Sequence, residues 1–92
     1  MGIASPTLTL LYLVVIHCNM DDVPIGLYAT RGDADQRMKA VLYPVARWSI
    51  LCSANDRYWP SVDTQPLYVA IYSIVPGTSD FKQVVKKDIP AD

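Results

Sequence analysis

Three stretches of this chain predict a small α+β domain. They are an apolar, β-branched run near the N-terminus, a capped amphipathic segment after it, and a second apolar run beyond residue 66. The expected architecture is a small antiparallel or mixed sheet of three to four strands, in β-β-α-β order, with one main helix packed on one face. At 92 residues the chain suits a single domain over 1–92, with 1–6 and 90–92 as loose tails.

The first run, residues 7–18, holds Leu10, Leu11, Tyr12, Leu13, Val14, Val15 and Ile16 in unbroken succession. β-Branched and aromatic residues favour a strand over a helix. Because both parities are apolar, the strand is expected inside the sheet, buried on both faces. Asn, Asp and Pro at 19–24 interrupt it, each a turn former. Residues 25–30 read as its antiparallel partner, across a loop of roughly six residues.

The helix is the clearest element, over 31–43. Thr30 can accept from a free backbone N–H, with Asp33 at the reciprocal capping-box position. Ala34, Met38, Val41, Leu42 and Val45 form one apolar stripe, and Asp33–Arg37 and Asp35–Lys39 are spaced as i,i+4 pairs. Pro44 disfavours helical geometry at Tyr43, so the helix stops there or kinks and continues through Arg47. Residues 48–52 fit a short strand and a helical continuation equally well. Residues 53–66 form the longest irregular stretch, residues 67–75 a third strand, and 81–89 a short strand or helix. A crossover through the helix places the third strand beyond the first, in spatial order 2-1-3.

Apolar residues make up 51% of the chain and charged residues 18%, against ~25% charged in an average domain. That excludes a disordered chain and suggests surface hidden by a partner. The net charge is -1 with no basic stripe, which argues against a nucleic-acid partner. A membrane partner is not expected either. The uncharged residues 1–20 lack the basic start and cleavage site of a secretory signal, the apolar core 10–16 falls short of the ~20 residues of a spanning helix, and Pro6 breaks a myristoylation pattern. Cys18 and Cys52 are too few for a disulfide framework; both are expected reduced and mostly buried, in a cytoplasmic protein.

Phosphate-binding glycine loops, Cys-x-x-Cys, paired histidines and Gly-x-Ser-x-Gly are all missing from the sequence, so no metal or cofactor is expected. His17, Cys18, Asp21 and Asp22 carry reactive groups. A Cys–His pair oriented by an Asp can make a nucleophile, but neighbours on a strand point to opposite faces. His17 is therefore read as structural, with an enzyme using His17 and a Cys or Asp as the lesser alternative. Arg57, Tyr58 and Trp59 are residue types enriched at binding hot spots.

Strand alternation groups Leu11, Leu13, Val15, Ile25, Leu27, Val69 and Ile71 on one face, under the helix. Leu10, Tyr12, Val14, Ile16, Tyr28, Tyr68, Ala70, Tyr72 and Ile74 then share the other. An apolar face of that size calls for a cover. The function expected is a non-enzymatic interaction module that forms a homodimer, or binds a protein partner, through Tyr12, Tyr68 and Tyr72. The alternative is a small-molecule-binding domain with the same face as a pocket wall.

Overall fold

The computed structural model describes residues 10–19, 21–54 and 65–90. They run as β1 (Leu11–Cys18), β2 (Asp22–Tyr28), α1 (Arg31–Val41), α2 (Pro44–Ala54), β3 (Pro66–Ile74) and β4 (Phe81–Asp88). The four strands form one antiparallel sheet in the order β2-β1-β3-β4. The domain is thus α+β with β1 interior, as its two apolar parities require. The element order corrects the expectation: two helices of equal length stand where one main helix was expected, while the last element takes the strand form of the strand or helix expected there.

Pro44 explains the second helix. It stands at the first position of α2, where a backbone N–H would have no intrahelical partner, so its missing donor costs nothing. One proline both stops α1 and starts α2, and residues 48–52 become helix rather than strand. The break is sealed by Arg47, which is 1% exposed and donates from Nη1 to the Val41 carbonyl oxygen at 3.0 Å. A cation at the end of α1 meets the negative pole of that helix and an otherwise orphaned acceptor.

At its other end, α1 is capped as expected, the Thr30 hydroxyl accepting from the Asp33 N–H at 3.2 Å. Ala34, Met38 and Val41 are buried, but the stripe does not reach Val45, which is 86% exposed because the helix breaks before it. Asp35 accepts from Arg31 Nε at 3.2 Å rather than pairing with Lys39.

The core lies between the helices and one sheet face. Val14, Ile16 and Cys18 of β1, Val23 and Ile25 of β2, and Val69 and Ile71 of β3 meet Ala34, Met38, Val41, Ile50 and Leu51. Each fully buried aliphatic side chain contributes about 1.5–3 kcal/mol. This core overturns the expected grouping of faces. Leu13 pairs with Tyr72 and Val15 with Ala70, so the odd positions of β1 share a face with the even positions of β3. Val14 and Ile16 lie under the helices, and Leu13 and Val15 lie on the other side.

The hairpin is tighter than expected. Its connection spans only 19–21, closed by Cys18 N–H donating to the Asp21 carbonyl at 2.7 Å, so β2 starts at Asp22. Val14 pairs with Gly26 and Val15 with Pro24, leaving Ile25 as the extra residue of a β-bulge. The bulge turns Ile25 into the core as well as Val23. The β3–β4 turn is a Pro76-Gly77 pair with Thr78 N–H bonded to the Val75 carbonyl. Gly77 has φ +81°, as the third residue of a type II turn requires.

Gly26 has no room for a side chain: a Cβ there would overlap the Tyr28 ring, whereas one at Gly32 would meet nothing. Gly26→Ala should displace that ring from its packing and cost about 1–2 kcal/mol. Gly32→Ala, in the first turn of α1, should leave stability unchanged or raise it by up to about 1 kcal/mol. Urea titration checks the pair; the midpoint should fall for the first only.

Candidate functional site

The sheet face away from the helices carries an aromatic layer centred on His17. β1 brings His17 opposite Asp22 on one side and opposite Tyr68 on the other. The imidazole Nδ1 lies 2.7 Å from Asp22 Oδ1, and Nε2 lies 2.8 Å from Tyr72 Oη. The ring stacks on Tyr68 with centroids 4.4 Å apart and planes at 22°. Tyr72 reaches His17 from four residues along β3, past Ala70, whose lone methyl leaves the space above the strand to the ring.

Beneath this layer Val15 and Ala70 are 6% and 0% exposed. Neither belongs to the helix-side core; aromatic rings do there what helices do on the other face. Lys86 Nζ sits 4.2 Å from the centre of the Tyr68 ring, a cation–π contact. Phe81 meets Tyr72 edge-on, with centroids 5.9 Å apart.

Proton positions follow from the partners. A carboxylate only accepts, so Nδ1–H donates to Asp22. In the neutral ring Nε2 then accepts from the Tyr72 hydroxyl. Burial pushes that hydroxyl above its ordinary value of 10.0, with Tyr68 and the Asp22 charge adding to the shift. Tyr72 therefore keeps its proton and gives a hydrogen bond to His17.

The layer borders a groove of about 570 Å³. Leu13, Val15, Pro24 and Ile74 supply its apolar surface, His17 and Asp22 close one end, and Asp80 and Phe81 stand towards the other. No protein-family model matches the chain, and neither does any curated protein or solved structure.

Of the three tyrosines expected to act together, Tyr68 and Tyr72 meet at His17. Tyr12 is the correction: it packs against the helix-side core, because β1 presents its even positions to the helices. Arg57, Tyr58 and Trp59 lie outside the described residues. Asp22 was expected near His17 only under the catalytic alternative, and Pro24, Asp80 and Phe81 were not expected at the site. Asp22 could have been found from a tight reading of the hairpin, which sets it opposite His17; the other three carried no signal.

Chemistry by His17 with a cysteine has no geometric support here. Cys18 lies in the helix-side core, across the sheet from His17. Cys52 is exposed on α2, which corrects the expectation of burial; the helix turns it outward. Among the described residues no group of three His, Cys, Asp or Glu side chains could hold a metal ion, and no helix is long and apolar enough to cross a membrane.

Burial pushes the Cys18 thiol from 9.0 up to about 11, with the Asp21 and Asp22 charges adding to it. A thiol reagent at neutral pH should modify Cys52 in the folded protein and Cys18 only on unfolding. A folded-state pKa above the unfolded value favours the fold fully below about pH 9. That contribution, roughly 2–3 kcal/mol, should be lost as pH rises to about 11. Cys18→Ala should remove this part of the alkaline slope in denaturant titrations.

Proposed function

We propose that this domain is a non-catalytic binding module whose sheet face away from α1 and α2 takes a small, largely apolar molecule. The groove carries the reading. Its volume of about 570 Å³ falls within the ~300–1,000 Å³ of ligand pockets, which are mainly apolar with a few convergent polar groups. Here those groups are Asp22, His17 and Tyr72, already fixed by mutual hydrogen bonds, so a ligand meets a preorganised end.

Self-association through the same face is the second reading. Leu27 is 56% exposed and Phe81 70%, and Leu27 pairs with Leu13 on that face. A homodimer, or a protein partner, would cover both along with Tyr68 and Tyr72. The lysines of β4 argue against nucleic acid as that partner. Lys82 and Lys87 pair with Ser73 and Val69, which belong to the helix-side parity, leaving Lys86 on this face. Free thiols at Cys18 and Cys52 suit a reducing compartment such as the cytoplasm.

Two measurements separate the readings. Fragment binding followed by amide chemical shifts should perturb Val15, Tyr72 and Phe81, and Leu13→Trp, which fills the groove, should abolish it with circular dichroism intact. Under the second reading, sedimentation at tens of micromolar should give a dimer mass that Tyr72→Asp reduces to a folded monomer. A monomeric wild type would sink self-association, and shifts confined to the helices would sink the groove.

A further inference from the structure

Resting on the ligand-binding reading of the groove, we infer that its ligand is a small organic cation, an ammonium group on an apolar or aromatic body. Charge is the first ground. Among the described residues the groove's lining includes the carboxylates of Asp22 and Asp80 and no lysine or arginine. Lys86 lies over Tyr68, outside the lining. Asp22 is already engaged by His17, while the Asp80 carboxylate makes no hydrogen bond or ion pair among the described residues.

Hydrogen-bond sense is the second ground. Both nitrogens of His17 are committed, Nδ1 to Asp22 and Nε2 to Tyr72, and with a neutral imidazole Tyr72 directs its proton at Nε2. What Tyr72 still offers is an oxygen lone pair. The Thr78 hydroxyl donates to the Val75 carbonyl at 2.8 Å and accepts from the Asp80 N–H at 3.1 Å, so its proton is spoken for. Of the described side chains at the two ends, Asp22, Tyr72, Thr78 and Asp80 thus present acceptors and Ser79 alone keeps an uncommitted hydroxyl proton, so the balance calls for a donor.

The aromatic pair is the third. Tyr72 and Phe81 meet at 72°, next to the free carboxylate of Asp80. Ring faces beside a carboxylate attract a cation by the ring quadrupole and by charge together. The ammonium sits at this end, and its apolar body runs over Ile74, Leu13 and Val15 towards His17. Asp22 adds negative potential from the far end.

Three probes of equal shape test the assignment: phenethylammonium, 2-phenylethanol and phenylacetate, each titrated into the intact protein and followed by amide chemical shifts. The expected order of affinity is ammonium, then alcohol, with the carboxylate weakest. Asp80→Asn and Phe81→Ala should each weaken the ammonium at least about threefold. Asp80→Asn should leave the alcohol unchanged, and added salt should weaken only the ammonium. An alcohol or carboxylate that binds as well as the ammonium, or an ammonium indifferent to Asp80→Asn, overturns the cation assignment while the groove reading stands. Absence of shifts at Val15, Ile74 and Phe81 with all three probes overturns both.

Discussion

The constraint on which the rest depends is that β1 is apolar on both faces. A strand of this kind is stable only when both faces are shielded from water, and that places it between β2 and β3. Two short helices, linked through Pro44 and Arg47, can cover one face. Nothing else among the described residues reaches the other as regular structure. Side chains of the sheet itself lie over its centre instead, where Val15 is 6% and Ala70 0% exposed, against 0% for Val14 and Val69 on the helix side.

His17 makes that second cover work. Two tyrosines laid across an open sheet would have free rotamers and two unfixed hydroxyls. The imidazole stacks on Tyr68 and bonds Tyr72, and Asp22 fixes the imidazole in turn. Each hydrogen bond adds only about 0.5–1.5 kcal/mol, but the chain Asp22–His17–Tyr72 sets ring positions that packing alone would leave loose. The same chain sets the polar end of the groove, since both nitrogens of His17 are engaged, by Asp22 and by Tyr72. Under the proposed function, the residue that fixes the rings is also the one that shapes the groove's polar end.

Much of the fold was legible for reasons that are local. The cap at Thr30, the buried series Ala34, Met38 and Val41, the interior place of β1 and the spatial order of the first three strands all follow from periodicity and turn chemistry. The second helix was legible only as one of two alternatives for residues 48–52, because Pro44 sends the same signal whether it ends a helix or begins one. Register was illegible for a different reason. In a strand with one apolar parity, burial selects the register, and a slip of one residue is strongly penalised. In β1 both parities are apolar, so either face could have met the helices, and Tyr12 went to the face away from Tyr68 and Tyr72. The candidate site inherits that ambiguity. His17 and the two β3 tyrosines were visible as residues, but their meeting depended on a register that hydrophobicity does not specify. Asp80 and Phe81 enter only through the β3–β4 turn.

The two readings of the open face differ in what each does with its charges. A two-fold contact is self-complementary, each copy presenting the same patch. Burying this face in such a contact would bring in Asp22 and Asp80 from both copies. Against them the described residues of the face offer Lys86, already placed over Tyr68, and His17, already bonded to Asp22. A carboxylate removed from water without a cation is costly, so a dimer must leave both acids at a wet rim and bury the apolar strip between them. A small cation has no such conflict. It supplies the missing charge, covers the apolar strip with its body and leaves Asp22 in water. The distribution of charge around the groove therefore favours an occupant unlike the face itself over a second copy of it.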